Sequence, residues 1–71
     1  MRLISINGAE DFPYESSVLS ATCEGIIAYC GRHEAWITYA HTTSEAFRQL
    51  RQIREAYAAG EKVYIYEPEK H

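Results

Sequence analysis

The spacing of apolar residues in this chain changes at His41, and that change limits the fold more than any other feature. Before it, Ser17 to Cys23, Ile26 to Cys30 and Glu34 to Ala40 form short runs rich in Val, Ile, Thr, Tyr and Trp. Glu24-Gly25 and Gly31-Arg32, pairs suited to tight turns, separate these runs, so they read as an antiparallel meander. After His41, Phe47, Leu50, Ile53 and Tyr57 recur at intervals of three and four, with Ala46 beside them, and form one apolar stripe of a helix. Thr42-Thr43-Ser44-Glu45 fits a capping box with Thr42 as N-cap, and Gly60 suits the left-handed position just past the helix end. One helix covers only one face of a sheet.

The remaining elements follow from local chemistry. Arg2 to Ile6 reads as a strand, and Asn7-Gly8 as the hairpin signal that turns the chain back. Pro13 donates no backbone hydrogen bond and holds Phe12 extended, so Phe12-Pro13-Tyr14 reads as an irregular edge. Lys62 to Tyr66 alternates as a last strand, with Val63 and Ile65 inward and Tyr64 and Tyr66 outward. The expected fold is α+β in the order β-β-β-β-α-β: an antiparallel sheet of about four to five strands with one helix packed on one face. Residues 1–71 make a single domain, with 66–71 as a flexible tail.

At 71 residues the core is thin, since a chain of this size buries only about 60% of the surface its unfolded state exposes. A net charge of −3 supplies no bulk attraction to nucleic acid or to an anionic membrane. No apolar run approaches the ~18 residues needed to span a bilayer, and the opening run is too short for a signal peptide. The expected location is therefore cytoplasmic, with Cys23 and Cys30 as reduced thiols.

Three stretches carry a resemblance. Met1-Arg2-Leu3-Ile4, then Asn7-Gly8, then Asp11-Phe12-Pro13-Tyr14-Glu15 resemble the start of a group of small uncharacterised proteins of Firmicutes and their phages or mobile elements. Thr43-Ser44-Glu45-Ala46 and Ala56-Tyr57 are similar to that group's helix segment. The resemblance implies a cytoplasmic protein of mobile-element origin and no particular activity, so it transfers no site residue.

Several chemistries have partial support in the residues. Cys23, Cys30, His33 and His41 are zinc-competent, but only Cys30 and His33 have the close spacing of paired zinc ligands, so the reading is of no metal and no cofactor. The cysteines then serve as small hydrophobes in strands. Nucleophilic catalysis would draw on Cys30, His33 and Glu34, yet neighbours on a strand point to opposite faces, and His33 and Glu34 cannot both aim at one thiol. The reading is of no catalytic residue. The glycines sit singly, without a phosphate-binding loop.

Arg48, Arg51 and Arg54 could follow phosphates along the helix, with Glu45 and Glu55 spaced to neutralise them, which makes nucleic acid the alternative partner and not the first. The first is protein. If Ala35, Ile37 and Tyr39 face the helix, alternation sends Trp36, Thr38 and Ala40 to the open side, where Tyr29, Tyr64 and Tyr66 join Trp36 as the candidate interface. A protein partner or a second copy would cover that face, unless Phe12 and Tyr14 of the N-terminal segment fold over it as a lid.

Overall fold

The computed structural model describes residues 1–67. Six short strands and one helix follow in the order β1 (Arg2–Ile4), β2 (Asp11–Pro13), β3 (Val18–Thr22), β4 (Gly25–Cys30), β5 (His33–Trp36), α1 (Thr43–Ala58) and β6 (Val63–Tyr64), with a single 3-10 turn, Tyr14–Ser16, after β2. The α+β class and the single helix match the expectation, but five strands and not four precede the helix, because Asp11–Pro13, expected as an irregular edge, pairs with β1 as a strand. The single sheet does not match either, because the strands divide into two three-stranded sheets, β2-β1-β6 and β3-β4-β5. The division falls at Tyr14–Ser16, where the turn following Pro13 ends the ladder and redirects the chain.

The first hairpin forms with a longer loop than Asn7-Gly8 alone would make. Ser5 N–H donates to the Glu10 carbonyl at 2.9 Å, and Gly8 N–H donates back to the Ser5 carbonyl at 2.9 Å. The nearly buried Ser5 hydroxyl accepts from Glu10 N–H at 3.0 Å and donates to Asn7 Oδ1 at 2.6 Å, so side chains satisfy the loop's backbone. β2 lies at a sheet edge, where Pro13 is tolerated. Inside this sheet β6 runs parallel to β1, with Arg2 opposite Val63 and Leu3 opposite Tyr64.

The second sheet is the expected meander with its first turn displaced by one residue. Thr22 pairs with Gly25, so the turn is Cys23-Glu24, held by Glu24 N–H donating to Thr22 Oγ1 at 3.1 Å. Gly25 instead opens β4 with φ +138°, and a Cβ there would stand 2.0 Å from the Thr38 carbonyl oxygen. Only glycine lets the two backbones approach so closely.

Alternation fails past Trp36. Ile37 and Thr38 both donate their N–H groups to the Ile26 carbonyl, at 2.8 and 3.4 Å. Two residues opposing one is the signature of a bulge, and it turns both side chains toward the core, where both are fully buried. Thr38, expected on the open side, therefore faces the helix, while Tyr39 is 55% exposed.

The helix starts and stops where local chemistry places it. Thr42 Oγ1 accepts from Glu45 N–H at 3.1 Å, and Glu45 Oε2 reaches back to His41 N–H at 3.1 Å. At the other end Gly60, φ +83°, donates to the Tyr57 carbonyl and Glu61 N–H donates to the Ala56 carbonyl, both at 3.0 Å, the two bonds of a Schellman stop. Its buried face is rotated from the expected stripe: Ala46, Gln49 and Ile53 are buried, Leu50 packs beside them, and Phe47 is 59% exposed. Gln49 earns the inward position by bonding Thr38 and the Tyr39 carbonyl. With Leu3, Phe12, Ile26, Ala28 and Ile37, this face makes one core shared by both sheets.

Candidate interaction surface

Register in β3-β4-β5 assigns its two faces. Leu19 opposite Ala28 opposite Ala35, and Ala21 opposite Ile26, form the inner face, with Ile26 and Ala28 fully buried. The intervening rows, Val18–Tyr29–Glu34 and Ser20–Ile27–Trp36, therefore form the outer face. Val18 is 66% exposed and Tyr29 40%, whereas Ile27 and Trp36 are half-buried. Ile6 N–H donates to the Trp36 carbonyl at 2.9 Å, so the end of the first strand segment runs beside the β5 edge. Phe12 lies in the core and Tyr14 stacks on Tyr57 of the helix, with ring centroids 4.4 Å apart, so neither ring lies over the outer face.

Tyr29 and Trp36 thus share the surface foreseen for them, but Tyr64 and Tyr66 do not join it. β6 belongs to the other sheet, and its alternation is reversed: Tyr64, beside buried Leu3, packs against the core, while Val63 and Ile65 are 41% and 60% exposed. Burial raises the Tyr64 phenol above its usual pKa, and the nearby Tyr66 phenol adds to the effect. Tyr66 is half-buried. Of the tail expected over 66–71, residues 68–71 lie outside the described residues.

Arg48, Arg51 and Arg54 are all exposed on α1. The expected pairing with Glu45 and Glu55 is absent among the described residues, whose two ion pairs join Arg2 to Asp11 and the terminal amine of Met1 to Glu15, the latter at 3.1 Å. Glu45 is occupied by the helix cap instead. Glu15 accepts from its own backbone N–H and from that amine, which together lower its pKa.

The thiols separate. Cys23 is exposed in the β3–β4 turn instead of lying in a strand, while Cys30 packs beside the core opposite His33, across the Gly31-Arg32 turn. Cys30 and His33 line a cleft of about 270 Å³ with Glu10 and Asp11 of the β2 end, whereas Glu34 stands on the outer face opposite Tyr29. The carboxylates near Cys30 thus come from a strand distant in sequence, and no local spacing could have identified them. Among the described residues no three His, Cys, Asp or Glu side chains converge as metal ligands. No helix among the described residues is long and apolar enough to cross a membrane.

Comparison with protein families, with curated proteins and with solved structures finds no match to this chain.

Proposed function

We propose that this protein is a small non-enzymatic interaction module of the cytoplasm, of phage or mobile-element origin, acting through protein contacts on the outer face of β3-β4-β5. The observation that carries this reading is the row Val18–Tyr29 beside the row Ile27–Trp36, an apolar and aromatic strip on the sheet face opposite the helix. Aromatic rings of this kind bring large apolar area with a polar tip, the composition favoured where proteins meet. The test is affinity capture from the host using the wild-type protein, Tyr29→Lys and Phe47→Lys. Loss of the same captured protein with Tyr29→Lys, and its retention with Phe47→Lys on the exposed helix face, supports the reading; identical capture by all three refutes it.

One observation favours a second reading, in which Arg48, Arg51 and Arg54 follow nucleic-acid phosphates: among the described residues no acidic side chain forms an ion pair with them. The net charge of −3 opposes it, and the expected binding to a labelled oligonucleotide is weak and abolished by salt. Submicromolar binding at physiological salt that is lost in Arg51→Glu would put nucleic acid first.

A further inference from the structure

The outer strand of the second sheet offers an open edge whose sequence complements itself. Among the described residues β3 pairs only with β4, so alternate backbone N–H and C=O groups along Val18–Thr22 point away from the sheet without a strand partner. The other sheet edges carry the usual protections: β2 has Asp11 and Pro13, β5 has His33, Glu34 and the Ile6–Trp36 bond, and β6 is two residues long beside Lys62. β3 has none of these. No charged residue and no proline occurs from Ser16 to Cys23.

We infer that β3 is the site of antiparallel pairing with a second copy of this chain about a twofold axis at Ser20. In that register Leu19 opposes Ala21 of the second copy, inner face to inner face, and Val18 opposes Thr22, outer face to outer face, so both alternations stay in phase. A twofold contact requires a patch that matches itself. The groove of about 440 Å³ that includes Leu19 meets this condition too: Leu50 and Tyr57 give it apolar walls, and it carries one carboxylate, Glu15, and one guanidinium, Arg54. A hetero-peptide would need none of this self-matching, and a charged β3 would oppose like charges across the axis. The product is one six-stranded sheet in which the outer faces of both copies continue into each other. The inference goes beyond the capture function and stands or falls separately from it.

The experiment is light scattering across a concentration series for the wild-type protein, Ser20→Lys, Ser20→Glu and an equimolar mixture of the two variants. The wild type should approach twice the chain mass, each variant alone should remain at the chain mass because like charges meet at the axis, and the mixture should recover the dimer. Circular dichroism identifies a variant that fails to fold. For that case, wild-type hydrogen exchange gives a second reading: the β3 amides pointing away from β4 should gain protection as concentration rises. A wild type that stays monomeric, variants that dimerise unchanged, or β3 amides with concentration-independent exchange would each overturn the inference. A monomer whose Tyr29-dependent capture persists would overturn this dimer alone.

Discussion

Thr38 and Gln49, both buried, are joined by a 2.5 Å hydrogen bond in which the Thr38 hydroxyl donates to Gln49 Oε1. The same hydroxyl accepts from Ile26 N–H at 3.0 Å, and Gln49 Nε2 donates to the Tyr39 carbonyl at 2.8 Å. The pair thus ties the bulge after β5 to both β4 and the helix. Thr38→Val keeps the shape but strands Gln49 Oε1 and the Ile26 N–H away from water, and it should cost about 2 to 3 kcal/mol in urea unfolding. Thr38→Ser, which keeps the hydroxyl, should cost about half as much or less.

Gly25 faces the bulge from the other side. A methyl group there meets backbone at 2.0 Å, and that backbone is pinned by the Thr38 bonds. Gly25→Ala should therefore lower stability by about 3 kcal/mol or more, a large share of the total for a small domain. Gly60→Ala, where the helix stop needs positive φ but nothing lies within 4 Å, should cost only about 1 kcal/mol. Both positions carry the strain of positive φ, so paired thermal melts read the added loss from crowding at Gly25.

The rotated helix face predicts a reversal of rank along the expected stripe. Phe47→Gln, at an exposed position, should change stability by less than about 0.5 kcal/mol. Ile53→Ala, at a fully buried one, should cost about 2 to 4 kcal/mol. Equal losses in urea titrations would contradict the burial pattern.

Alkaline pH should act through Tyr64. Its phenol has a raised pKa in the folded chain, so near neutral pH both folded and unfolded forms keep the proton and stability is level. Above the ordinary value of about 10 the unfolded phenol ionises first, the folded state holds more protons, and stability falls as pH rises through the folded value. Tyr64→Phe should flatten that decline relative to wild type. Denaturant midpoints at neutral and alkaline pH measure the difference.

What was legible in the sequence was local. The helix ends were visible because Thr42, Glu45 and Gly60 act within a few residues of themselves. The strands other than β2 were visible for the same reason, and so was the shared face of Tyr29 and Trp36 once the meander was paired; β2 was not, because Pro13 masked a ladder that only its pairing with β1 reveals. The inward side of β6 was not, because alternation gives two faces but Leu3, far away in sequence, decides which is buried. Thr38 and Gln49 were hidden for a related reason: Thr38 turns inward through a bulge set by the distant Ile26 carbonyl, and the partner that admits a polar Gln49 to the core lies on another element. Cys30 and His33 were adjacent in the sequence pattern, whereas their carboxylate neighbours Glu10 and Asp11 came from the other sheet.

The parallel pairing of Arg2 with Val63 also sets a timetable for synthesis. The meander and helix close over short separations and can assemble while the chain is still emerging, but β1 must wait for β6 before its sheet has a third strand. Until then the apolar side of β1 and β2, with Leu3 and Phe12, rests on a two-stranded hairpin that is marginal by itself. Among the described strands, the last in sequence is thus the one that completes the sheet of the first.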